Sequence, residues 1–278
     1  MTLFMHKKRC LIACLLMLAA GMAMSKPNLA QFSASIFRIE AYETSGRRHS
    51  GTGVLVAPHT LVTNCHVIGS SQKVVAFTSA GQLAARLLRG NAQRDLCLLN
   101  VPGLQGTVVK LGGTMAKRAG DAIYAAGFAK DAGLSVNRGH IEGLFTYQGS
   151  GRIVQGSAFF GPGKSGGGLF DQNGRLIGVL TFKCRGGGPF HFAVPVEWVE
   201  SLLNDRSARR ETFAATPFWQ YTDERQPVFL RAASLYADGE CMELNELALA
   251  WLAREPDNAE ALFLVQRAKL CDSACQTW

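Results

Sequence analysis

Between Ser33 and Val101 the chain breaks into six short apolar runs, near "SIFRIEAYE", "GTGVLVAP", "TLVTN", "KVVAFTS", "QLAARLLRG" and "DLCLLNV", with turn residues such as Ser-Gly, Ala-Pro-His and Gly-Asn between them. Runs this short, rich in Val, Ile, Phe and Thr, read as strands rather than helices. A second set of six lies between Gly120 and Pro195: "DAIYAAGFA", "LSVNRGHIEG", "LFTYQGSG" running into "RIVQGSAFF", "GGGLFD", "RLIGVLTFKC" and "FHFAVPVE". Two such sets predict a mainly β body of two six-stranded antiparallel barrels packed together. "VEWVESLLND" closes this region as a short amphipathic helix. The pattern changes after Asp205. A polar linker leads into a Leu-, Ala- and Glu-rich stretch where apolar residues recur at helical spacing, as in Cys241, Leu244, Ala248 and Trp251. Three helices are expected there, broken at Asp238-Gly239 and at Pro256-Asp257-Asn258. The organisation predicted is a barrel pair over residues 30–205, a linker over 206–226 and a small α-helical tail over 227–278.

The first 25 residues fall outside this scheme. A basic segment, Lys7 to Arg9, precedes an apolar run to about Met24, and small residues follow, the three-part pattern of a secretory signal peptide. The apolar run, from about Cys10, is shorter than the ~20 residues that span a bilayer, so cleavage is expected over anchoring, with no stable membrane span afterwards. "LIAC" at Leu11–Cys14 mimics a lipoprotein box but has almost no apolar segment before it. The expected location is periplasmic or secreted. Export changes how composition is read. The formal charge of +8 falls by three once Lys7, Lys8 and Arg9 are set aside, and "RSARR" at Arg206–Arg210 is the one basic cluster that stands out. Nucleic acid is therefore not expected as a partner. Six cysteines remain in the exported chain, at 65, 97, 184, 241, 271 and 275. In an oxidising compartment an even count points to disulfides. With no His/Cys cluster at zinc spacing, no metal and no cofactor are expected.

The stretch "AFFGPGKSGGGLF", Ala158 to Phe170, admits two chemistries. One is a relaxed phosphate-binding loop ending in Gly-Lys-Ser. That loop needs a helix directly after the serine, whereas three glycines follow Ser165, each costing about 1 kcal/mol in a helix interior. The other is an acyl-transfer nucleophile presented between glycines, which needs a base and an orienting carboxylate. "GTGVLVAPHTLVTNCHVIG" supplies His66 after a strand, with His59 in an exposed turn. "RDLCLLNV" supplies Asp95 at the head of an apolar strand. The order His66, Asp95, Ser165 places the first two in the first barrel and the third in the second, with the cleft between them as the meeting point.

Residues from Ser33 to about Leu203 resemble a trypsin-like serine protease of the bacterial Do-like group. The carriers are "GTGVLV…TLVTNCHV", "DLCLLNV", "GKSGGGLFDQNGRLIGV" and "FAVPVEWV", four motifs in the expected order. The resemblance implies that Ser165 attacks the scissile carbonyl of a protein or peptide, that His66 is base and then acid, and that Asp95 fixes the His66 tautomer. It implies an oxyanion hole from the N–H groups of Gly163 and Ser165, each donor worth about 2.7–4 kcal/mol of barrier. It implies primary-pocket walls near Phe159, Thr181-Phe182-Lys183 and "GGGPFHF". Phe159 and Phe182 favour small or medium apolar side chains, while His191 either reaches the pocket or packs under the last strand. Two departures stand out. Lys164 replaces the Asp or Asn usual before the serine, which removes any acidic receptor for a newly cut N-terminus, and Gly168 replaces a common proline. The alternative to an active endopeptidase is a silent relative that binds protein through its cleft or tail.

Bringing His66 to Asp95 brings their neighbours together, and strand residues two apart face the same side, so a Cys65–Cys97 disulfide is expected. A Cys241–Cys271 disulfide is expected in the tail, because the two cysteines stand equidistant from Pro256 in an antiparallel hairpin, with Cys275 as the alternative partner of Cys241. That pairing leaves Cys184 and Cys275 to tie the tail to the second barrel. "LAWLAREPDNAEALFLVQRAK" resembles the junction of two tetratricopeptide repeats, but about three repeats are needed to stack. The tail is therefore expected to pack on itself or on the body, with a protein partner there as a further possibility.

Overall fold

The computed structural model describes residues 32–275 apart from 131, 184–189, 206–214 and 223. The signal segment, the "RSARR" cluster and Cys184, with any Cys184–Cys275 bond, lie outside the described residues. The first barrel is closed in the order β1-β2-β3-β6-β5-β4. Its strands are β1 Ile36–Tyr42, β2 Arg48–Ala57, β3 Thr60–Thr63, β4 Lys73–Thr78, β5 Gly81–Asn91 and β6 Leu96–Asn100. One helical turn, α1 Cys65–Ile68, follows β3. The second barrel is closed in the order β10-β11-β12-β9-β8-β7. Its strands are β7 Ala122–Phe128, β8 Leu134–Thr146, β9 Arg152–Gly156, β10 Gly168–Asp171, β11 Leu176–Lys183 and β12 His191–Pro195. All strand pairs are antiparallel.

The third strand of the second barrel departs from the sequence reading. "LFT" at Leu144–Thr146 does not run on into "RIVQG" but completes β8, a strand of 13 residues. Two facts reconcile this with the sequence. A register shift between Ile141 and Gly143 lets β8 bend around the barrel, so Gly143 bends the strand without ending it. The turn that does end it, residues 147–151, carries Gln148 at φ 42°, a left-handed position not evident from a glutamine.

Each barrel encloses its own apolar core, with Ile39, Leu55, Leu61 and Leu99 in the first and Ile123, Ile141, Ile177 and Leu180 in the second. β6 shows why its sequence is apolar throughout instead of alternating. Cys97 and Leu99 fill the barrel interior, while Leu96 and Leu98 face outward into a third cluster shared with the second barrel. A strand buried on both faces has no polar side to show.

That third cluster also holds the chain's last third. α2 Val196–Asn204 seats Trp198, Val199 and Leu202. A 3₁₀ turn, Phe218–Gln220, seats the fully buried Phe218. Three helices follow, α3 Val228–Asp238, α4 Cys241–Arg254 and α5 Ala259–Cys275. They pack on the outside of the second barrel. Phe229 stacks on Phe145 with ring centres 4.9 Å apart. Glu260 accepts the Thr146 N–H at 2.6 Å. Arg267 covers the ring of Tyr236 at 4.5 Å. Cys241 and Cys271 are joined across α4 and α5, with Cα atoms 5.6 Å apart. The tail thus packs both on itself and on the body. Among the described residues no helix is long and apolar enough to cross a membrane.

Candidate active site

The cleft residues are placed by the ends of strands. β3 runs directly into α1, so His66 stands on the second residue of a turn whose neighbours Cys65, Val67 and Ile68 are buried. Its side chain remains 32% exposed. Asp95 precedes β6 and is wholly buried. Its φ of 57° is left-handed, a conformation that Asp tolerates better than most residues. The turn is secured on both sides: Asp95 N–H donates to Ala92 O at 3.1 Å, and Asp95 O accepts from Cys65 N and from Asn64 Nδ2 at 2.9 Å. The carboxylate then meets His66 twice. Oδ1 accepts the His66 backbone N–H at 2.9 Å, and Oδ2 lies 2.6 Å from His66 Nδ1. A carboxylate on Nδ1 leaves Nε2 as the ring nitrogen able to accept a proton. The Cys65–Cys97 disulfide, with Cα atoms 5.0 Å apart, ties α1 to β6 directly behind this pair.

Ser165 comes from the loop before β10. That loop is held against the first barrel by Thr52 of β2, itself bonded to Thr63 at the end of β3. Ser165 O accepts the Thr52 N–H at 2.8 Å. Thr52 Oγ1 donates to Gly163 O at 2.8 Å, and Thr63 Oγ1 donates to Thr52 O at 2.7 Å. The approach is close enough that a Cβ at Gly166 would collide with Thr52 O and Thr63 Oγ1. The structure thus places the serine loop across the barrel junction, against residues 52, 63 and 64, two residues from His66.

The loop's peptide orientations can be followed individually. Pro162 O accepts the Lys130 N–H at 3.0 Å. In a trans peptide the N–H of the next residue points the opposite way, so Gly163 N–H turns away from Lys130. Gly163 has φ 90°, and a Cβ there would meet Lys130 N at 2.7 Å and Phe128 O at 2.8 Å. Only glycine fits this position.

Lys164 points inward, with 3% exposure, and its Nζ has no hydrogen-bond partner. It borders a cavity of about 430 Å³ shared with Lys130, Asn137 and Phe159. Burial holds its ammonium below the ordinary lysine range.

The remaining pocket candidates divide into two groups. Phe159 is 58% exposed and meets the edge of His191, ring centres 5.1 Å apart. Thr181 and Phe182 are engaged elsewhere. Thr181 Oγ1 donates to Val179 O at 2.8 Å and accepts from Asn64 Nδ2. Phe182 stacks on Phe192. Residues 186–189 of the expected wall lie outside the described residues. His191 is buried, with neither ring nitrogen hydrogen-bonded, and it also packs on Phe160 at 4.8 Å. Burial, helped by the charge of Lys183, pushes its pKa from 6.5 down to about 4.

A stability prediction follows from His191. With the folded value depressed, the unfolded chain binds the extra proton between about pH 6.5 and 4, so stability present at neutral pH is lost as pH falls through that window. The full effect is on the order of 3 kcal/mol. Urea midpoints measured from pH 7 to 4 should fall less steeply for His191→Leu than for the parent. Parallel curves would show that His191 is not buried neutral.

One contributor at this site was not foreseen from the sequence. Trp219, in the region read as linker, donates Nε1–H to Asp95 Oδ2 at 3.1 Å. The signal that could have found it is the aromatic density of "PFWQY", unusual for a polar linker.

Residues 51–179 match the family model described as a trypsin-like peptidase domain. Among curated proteins, a probable periplasmic serine endoprotease DegP-like of Pseudomonas savastanoi is 27% identical over 169 residues, covering 57% of this chain and 35% of its own length. Serine protease HTRA4 of Mus musculus is 30% identical over 174 residues, covering 58% and 35%. The chain thus spans about a third of the length of these relatives. Among solved structures, the active form of the Rv3671c protease from M. tuberculosis superposes with a TM-score of 0.62 at 20% identity, covering 70% of this chain and 91% of that one. With two closed six-stranded barrels and a family model matched over residues 51–179, the chain is similar in fold and sequence to trypsin-like peptidase domains.

Proposed function

We propose that the protein is a serine endopeptidase, exported to the periplasm or beyond, that cleaves protein or peptide substrates through His66, Asp95 and Ser165. The observation that carries this reading is the double contact of buried Asp95 with His66, combined with the seating of the Ser165 loop on Thr52 and its close approach to Thr63. His66 Nε2 takes the proton of Ser165 Oγ as the oxygen attacks the scissile carbonyl. The tetrahedral oxyanion is met by the N–H groups of Gly163 and Ser165. His66, now an imidazolium held by Asp95, gives its proton to the leaving amine, and the acyl-enzyme forms. Water then repeats the sequence: His66 removes its proton, the acyl–oxygen bond to Ser165 breaks, and the serine regains a proton from His66.

Two observations support export. The Cys65–Cys97 and Cys241–Cys271 bonds suit an oxidising compartment, and the relative from Pseudomonas is named periplasmic. The N-terminal pattern supplies the route.

The test is labelling by a peptidyl phosphonate that reacts only with an activated serine, followed by peptide mapping. A single adduct on Ser165, absent from Ser165→Ala, is the expected result. No adduct at saturating reagent, or equal labelling of the variant, overturns the reading and leaves a protein-binding relative in its place.

A further inference from the structure

The segment after the second barrel reaches back to the acid–base pair. Phe218 is buried between Tyr147, ring centres 4.7 Å apart, and Trp198, at 5.9 Å. Its N–H donates to Gln93 O at 2.9 Å, two residues before Asp95. The side chain of Gln93 donates in turn to the Tyr221 hydroxyl at 3.3 Å. The 3₁₀ turn is therefore clamped to the loop that carries Asp95. Trp219, held between these anchors, stacks on Phe182 with ring centres 5.4 Å apart and planes within 12°. It also meets the His66 ring edge-on at 5.7 Å. Its indole N–H is aimed at Asp95 Oδ2, the same oxygen that faces His66 Nδ1.

We propose that Trp219 is a positioning residue for catalysis, so that the turn bridging barrels and helical tail is part of the active site. The inference rests on the His66, Asp95 and Ser165 reading above. A carboxylate oxygen free to rotate would present variable geometry to the imidazole. Here Oδ1 is fixed by a backbone N–H, and Oδ2 has a second donor besides His66. The nearby Thr181 hydroxyl cannot take that part, because its one proton goes to Val179 O. The indole N–H, a donor only, fixes Oδ2 at 3.1 Å and draws off part of its charge.

The charges around the pair are few. Among the described residues that wall the adjoining cavity, His66 and Asp95 are the titratable groups. The cavity beside them is walled by Cys65, Gly69, Ala92, Ala215, Pro217 and Gln220. The nearest basic side chain in sequence, Arg94, is turned away onto the Trp198 ring at 4.6 Å and to Gln148 O.

The experiment is Trp219→Phe, which keeps an aromatic ring on Phe182 and His66 and removes the N–H. With a peptide substrate, kcat/KM is expected to fall about tenfold, the low end for one hydrogen bond to a charged group, with the loss in kcat and KM little changed. Asp95 then concentrates more charge on the imidazolium, so the acid limb of the kcat/KM profile should move to higher pH. The low-field proton resonance of the His66 Nδ1–H to Asp95 bond, read by NMR on the full chain, should shift with it. A merely structural tryptophan would lower the melting midpoint without moving either readout. Asp95→Asn serves as the parallel control. If it collapses activity while Trp219→Phe leaves the pH limb and the resonance in place, this proposal fails and the triad stands. If Asp95→Asn is also without effect, the triad reading itself has failed, and this proposal with it.

Discussion

Ser165→Ala is expected to lower kcat by about 10⁴- to 10⁶-fold with no change in the fold. The size follows from how the three groups would act. The alanine removes the atom that forms the acyl bond, so what remains is binding plus any oxyanion stabilisation of attack by water, typically 10³–10⁴ over the uncatalysed rate. Retention of the fold follows from which part of Ser165 the structure uses. Its carbonyl accepts the Thr52 N–H, and the loop's other anchors are Gly163 O, Gly166 and Gly167. None of these involves the hydroxyl. Melting midpoints of parent and variant should coincide, and casein digestion should disappear. A variant that digests casein at the parent rate would remove Ser165 from the mechanism.

Parts of this arrangement were legible in the sequence because one physical signal dominated each. Alternating or doubly buried apolar runs mark strands whatever the tertiary details, so the two sets of six were visible. The β8–β9 boundary was not, because a glycine that bends a strand and a glycine that ends one look alike until pairing partners are known. Cys241 and Cys271 were within reach because hairpin geometry equates distances from Pro256. Lys164 was visible as an odd residue before the serine, whereas its burial without a partner was not, since long side chains usually lead their charge to water. Trp219 was hidden for a different reason. Its role depends on the chain returning to the first barrel after two barrels and a helix, and local pattern carries no information about such a return.

Asp95→Asn is expected to reduce kcat by about 10⁴-fold at neutral pH, again with the fold retained. Asparagine tolerates the left-handed φ of 57° that this position imposes, and it matches aspartate in volume, so the turn that joins Asp95 to Asn64 and Cys65 can persist. The hydrogen bonding cannot. The carboxylate accepts three donors: His66 N and His66 Nδ1 at 2.9 and 2.6 Å, and Trp219 Nε1 at 3.1 Å. A carboxamide has one oxygen and one NH₂. If its oxygen keeps the His66 backbone N–H, its NH₂ faces both Nδ1 and the indole N–H. The ring then accepts at Nδ1 and carries its proton on Nε2, where it cannot take the proton of Ser165. If the amide is reversed, its NH₂ opposes the His66 backbone N–H in a site with no exposure, and an unsatisfied buried donor costs about 1–3 kcal/mol. Either orientation fails, the first in the chemistry and the second in stability. The two are separable by measuring the melting midpoint beside kcat: a large rate loss with little loss of stability identifies the tautomer. A variant with parent-like kcat would show that Asp95 does not govern the protonation of His66.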